Sequence, residues 1–145
     1  MLQHDYIMRA IVQLAVAIRE ALQNNKGGVR DSQASRDQLE EVIGVAADMD
    51  SSILLSLSPE SVASMLQLGA TDSSVAEYIV HALMLDADYL EGDGYRELAL
   101  LRRQQAIAIT EAYDFPYAQD RLPALLNPTG AADEAERDRL ESEYL

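Results

Sequence analysis

The residues best placed to do chemistry lie in Leu85-Asp86-Ala87-Asp88-Tyr89-Leu90-Glu91-Gly92-Asp93-Gly94-Tyr95. Four carboxylates beside two glycines raise the question of a bound cation. An EF-hand calcium loop needs oxygen ligands at alternate positions, Gly at the sixth and Glu at the twelfth. Counted from Asp86, the fifth position is Leu90, the sixth Glu91 and the twelfth Glu97, so only part of that pattern is met. Asp86 and Asp88 also fall on a predicted helix, where two residues of separation turn their side chains about 200° apart. The plainer reading is a solvated helix end.

The other reactive side chains are sparse. His4 and His81 are the two histidines, and neither forms the HxxxH or HxxE spacing of a helical zinc site. With no cysteine, disulfides, thiolate catalysis and Cys-ligated zinc are excluded. Ser51-Ser52 and Ser73-Ser74 sit at predicted helix starts, where capping accounts for them. There is no nucleophile elbow, phosphate loop or dinucleotide fingerprint. No catalytic residue, metal or cofactor is expected, and the chain reads as a non-enzyme. Two groups stand out for interaction or pocket roles. Asp5 and Arg9 are one helical turn apart, close enough for an ion pair. Tyr78, Tyr89 and Tyr95 surround one predicted helical hairpin and could line a ligand pocket, each ring offering an apolar body and a polar tip.

The elements that must position these residues are helical. Positions 2–23 hold Ile7, Ile11, Leu14, Ile18 and Leu22 at three- and four-residue steps, flanked by Met8, Val12 and several alanines. A helix apolar over most of its circumference is expected at the centre of a bundle. Asn24 to Gly28 ends it. Ser35 with Gln38 looks like a capping box opening a second helix to about Met49, with Gly44 weakening it. A short apolar turn spans 53–57. Ser58-Pro59-Glu60 then starts a helix that Gly69 stops. Ser74 with Glu77 suggests a further capping box, for a helix to about Leu90. Gly92-Asp93-Gly94 turns the chain into a long helix from Tyr95 to about Tyr113. Pro116, Pro123 and Pro128 make 114–131 an extended connection with a short turn at 122–126. A polar helix over 132–145 closes the chain. Alternation at period two never persists, so no strand is predicted.

Composition bounds the rest. The 145 residues, 48% of them apolar, suit one domain over 1–145 with a sizeable core. A formal charge of −14 disfavours nucleic acid and anionic membranes as partners, since it repels both. Charged residues interrupt the apolar run at the start, so neither a signal peptide nor a membrane span is expected, and the default location is the cytoplasm.

Two resemblances add to this reading. Asp5-Tyr6-Ile7-Met8-Arg9, followed by Ile11, Leu14 and Ile18, resembles the opening helix of an uncharacterised bacterial family met mainly in Gram-positive gut organisms. That resemblance covers about the first half and implies no activity. Tyr89-Leu90-Glu91-Gly92, a glycine turn, then Tyr95-Arg96-Glu97-Leu98-Ala99 resembles a tetratricopeptide helix pair, which implies a protein-binding scaffold. The chain departs from that pattern at Leu98, where a small residue is usual, and at Arg102 and Gln105, where apolar packing residues belong. It also lacks a 34-residue internal repeat. The expected fold is all-α, five to six helices in antiparallel hairpins forming a tetratricopeptide-like bundle. The expected function is a helical protein–protein interaction module that receives another protein or peptide. A structural homo-oligomer, such as a homodimer, is the alternative, and a small-molecule sensor or enzyme with a tyrosine-lined pocket is the third.

Overall fold

The structure, a computed structural model, describes residues 2–26 and 32–127; at 2–4, 25 and 26 it describes the backbone alone. The polar helix expected over 132–145 lies outside these residues. Every regular element is helical: α1 Leu2–Lys26, α2 Ser32–Ala47, α3 Ser51–Leu54, α4 Pro59–Leu68, α5 Ser73–Gly92, α6 Arg96–Tyr113 and α7 Leu122–Leu125, with a 3-10 turn at Gln119–Arg121 before α7. The described residues contain no strand. None of the helices is long and apolar enough to cross a membrane.

α5, not α1, is the buried helix. From Val75 to Leu90 it is enclosed on nearly all sides, with Ile79, Val80, Ala82, Leu83 and Leu90 fully buried. α1 and α2 pack on one side of it and α6 on another, while α4 lies against α6. α1 buries Leu14, Ile18 and a row of alanines but leaves Val12 and Val16 in solvent. Counting apolar residues around α1 overstated its burial, because Val12 and Val16 lie on its solvent face and single exposed apolar residues are common on surfaces. The same count understated α5, whose polar His81, Asp86 and Tyr89 are also buried.

Local chemistry sets the helix ends. Ser58 caps α4 through the Ser61 amide, with Pro59 at the first position. Asp50 caps α3, accepting from the Ser52 hydroxyl and from the Ile53 and Ser52 amides, and these bonds hold its carboxyl below the ordinary range. Two expected capping boxes take other roles. Ser35 is buried inside α2, beside Asn24. For α5 the cap is Asp72, which accepts from the Ser74 amide. A carboxylate is as good a cap as a hydroxyl, and here Asp72 stands one residue before the helix.

Gly44 has a packing role beyond its weak helix propensity. A Cβ there would lie 2.7 Å from the Met49 carbonyl oxygen and 2.9 Å from both the Ser51 amide nitrogen and its Cβ. The chain leaving α2 turns back across this position to start α3. We therefore expect Gly44→Ala to lower stability by about 1–3 kcal/mol, as overpacking does. That reverses the gain of about 1 kcal/mol that helix propensity alone would give. Urea unfolding of the single variant checks the sign.

Candidate functional site

The densest polar constellation is buried between α5, α6, α2 and the α3–α4 turn. α5 contributes Asp86, whose side chain is wholly inaccessible. α6 contributes Arg102 and Gln105, one helical turn apart and both buried. The Arg102 Nε donates to Asp86 Oδ2 at 3.2 Å. Its Nη1 donates to the Leu55 carbonyl at 2.8 Å and to Gln105 Oε1 at 3.2 Å. The Gln105 amide donates to the Leu55 and Leu57 carbonyls, each at 3.0 Å. Chain turning between two helices leaves carbonyls without helical partners, and these two side chains supply them. Glu40 on α2 completes the set, 3.7 Å from Arg102 Nη2 and about a quarter exposed. Asp86 Oδ1 has no hydrogen-bond partner. Burial, reinforced by the neighbouring Glu40, pushes the Asp86 carboxyl up to about 8 against the pull of Arg102.

This corrects the reading of the carboxylate run. Asp88 and Glu91 do behave as a solvated helix end, pairing with Arg103 at 3.1 and 3.3 Å, and Asp93 lies 3.8 Å from Arg36. Asp86 instead turns inward. Among the described residues no group of three or more His, Asp or Glu side chains is arranged to hold a metal. The sequence did carry a signal: Arg102 and Gln105 stand where a tetratricopeptide-like helix wants apolar side chains. What could not be read was the acceptor each would meet across the bundle.

The three tyrosines do not share a pocket wall. Tyr78 is buried and donates to the Leu125 carbonyl at 2.7 Å, tying α7 to α5, and burial with nearby Glu77 pushes its phenol up to about 12. Tyr89 donates to the Ala21 carbonyl at 2.5 Å, tying α5 to α1. Tyr95 lies on the surface under the Arg36 guanidinium, 5.6 Å from ring centre to Cζ. Eleven residues of helix separate Tyr78 from Tyr89, about 16 Å along the axis. Asp5 and Arg9 both face solvent on the outer side of α1, and the structure forms no ion pair between them.

The segment after α6 is fastened across α5 at several points. The Tyr117 ring lies 5.1 Å from the buried His81 ring. Arg121 grips Glu77 through two hydrogen bonds, at 2.6 and 3.1 Å, and Arg19 of α1 donates to the Leu126 carbonyl. Burial holds His81 below its usual range, and its Nε2 has no partner.

The solvent side of α6 carries two large apolar residues. Leu100 and Ile107, seven residues apart, lie on one stripe with Gln104 between them and Glu97 and Glu111 at its ends. Both are about half exposed. At the start of α6 an open groove of about 640 Å³ is lined by Gly94, Tyr95, Arg96, Glu97, Leu98 and Leu101. Ala99, one position after Leu98, is the small residue buried against α5.

Compared with family models, with curated proteins and with solved structures, the chain matches none.

Proposed function

We propose that this chain is a non-catalytic helical interaction module, built on a tetratricopeptide-like hairpin of α5 and α6, that receives an amphipathic segment of another protein. The observation that carries the reading is the outward row of Leu100 and Ile107 on α6; a separate groove at Tyr95, Leu98 and Leu101 opens at the start of the same helix. Helix-in-groove recognition uses apolar anchors at this seven-residue spacing. Carboxylates stand beside the row, at Glu97, Glu111, Asp88 and Glu91, within a chain of formal charge −14. Charge of this sign favours a partner segment with Lys or Arg beside its apolar face.

The double variant Leu100→Glu, Ile107→Glu tests it. Both positions face solvent, so its melting temperature should stay within a few degrees of the parent. Capture from the native host's lysate, read by mass spectrometry, should yield a stoichiometric protein on the parent chain. The variant should retain at most a tenth of that protein. Equal retention on both chains would place the working surface elsewhere.

A further inference from the structure

Two carboxylates share one cation in the cluster of Asp86, Glu40 and Arg102. Asp86 has no access to solvent, and its Oδ1 meets no donor. Glu40 is the other carboxyl within hydrogen-bonding reach of Asp86, and it has no hydrogen to offer while both groups are ionised. An ionised Asp86 with an ionised Glu40 leaves the buried cluster with net charge −1, which the interior disfavours. One added proton makes the cluster neutral and lets the Asp86 hydroxyl donate to the carboxylate across from it, as carboxyl pairs in contact do.

We propose that the Asp86–Glu40 pair holds one proton in the native state, and that this proton locks α2 onto the α5–α6 pair. The groups facing Asp86 are Glu40 from α2, Arg102 from α6 and, through Arg102 and Gln105, the carbonyls of the α3–α4 turn. The buried residues of α1 are all alanine, leucine and isoleucine and bring no charge to it. When the proton leaves, it passes to bulk water, which reaches the cluster on the Glu40 side. The two carboxylates then repel, and Arg102 cannot neutralise both.

The sign follows from linkage. The native carboxyl, at about 8, binds its proton more tightly than in the unfolded chain, where an Asp titrates near 4. The lock therefore contributes fully below about pH 4, weakens as pH rises and is lost as pH passes the native value.

Carbon-13 NMR of the Asp side-chain carboxyls across pH 4–10, on the parent chain and on Glu40→Gln, tests the proposal. The parent should show one Asp carboxyl, assigned to Asp86, with a midpoint near 8. In Glu40→Gln that midpoint should fall by at least a unit, because the opposing charge is gone and an amide donor replaces it. Between pH 6 and 9 the parent's melting temperature should drop more than that of Glu40→Gln. A parent midpoint in the ordinary carboxylate range, or one that Glu40→Gln leaves unmoved, overturns the proposal. Glu40 is partly exposed, so the variant is expected to fold, and the parent titration stands without it.

Discussion

Arg102→Met is expected to destabilise the protein by about 3–5 kcal/mol, the cost of leaving a buried charge without its partner. Methionine preserves much of the side chain's volume, so the loss is electrostatic and not a cavity. The substitution strips two carboxylates of Arg102, the one cation they pair with among the described residues, and removes one donor from the Leu55 carbonyl. A domain of this size has about 5–15 kcal/mol in hand, so the variant should still fold, with a much lower urea midpoint. Asp86 can relieve part of the penalty by remaining protonated, so the loss should grow as pH rises. The double variant Arg102→Met, Asp86→Leu removes the cation and the inaccessible carboxyl together, leaving only the partly exposed Glu40, and should recover a large part of the loss, since apolar replacement of a buried pair is often neutral or better. A loss below about 1 kcal/mol for Arg102→Met would show that the pair contributes as little as a surface ion pair does.

Ile79→Asp is expected to abolish the cooperative thermal melt. Ile79 is fully buried at the middle of the core, among residues of α5 that have no route to solvent. A carboxylate there has no cation or donor, and burying it unpaired costs several kcal/mol beyond the lost packing. Ile11→Asp makes the contrast. Ile11 keeps 8% of its surface on α1, a helix with a solvent face. Its variant should melt at a lower temperature yet remain cooperative, because the new carboxylate can reach water by a rotamer change. If Ile11→Asp unfolds the chain while Ile79→Asp melts normally, the roles of α1 and α5 are reversed.

Much of the architecture was legible in the residues. Period 3.6 placed the five longer helices, and the Ser58-Pro59 start, the stop at Gly69 and the short turn at 122–125 stand where local chemistry put them. Local signals failed where the answer depended on neighbours in space. Ser35 carries a cap sequence but lies a turn inside α2, because the helix begins at Ser32. Gly44 looked like a weakness, and the approach of Met49 and Ser51 explains it. α1 looked central because its apolar arc is wide. The centre went to α5, whose polar residues find partners: Tyr89 on a carbonyl of α1, and Asp86 on Arg102.

The candidate site was less legible. Asp86 could not be separated from Asp88, Glu91 and Asp93 by type or spacing, since only the inward turn of one side chain distinguishes it. Tyr78, Tyr89 and Tyr95 are near in sequence yet reach α7, α1 and solvent respectively, because a helix spreads such neighbours around its circumference and along its length. The row Leu100–Ile107 was hidden for the opposite reason. An apolar stripe reads as core until the packing shows that nothing among the described residues covers it.

α5 is the structural centre, and the outer face of α6 is uncovered among the described residues. Native-state amide hydrogen exchange tests that most directly, because amides in the core open only with global unfolding. The slowest-exchanging amides should lie in α5 between Ile79 and Leu90, with their protection equal to the global stability, and those of α1 should exchange faster. Maximal protection in α1, with α5 exchanging by local opening, would contradict it.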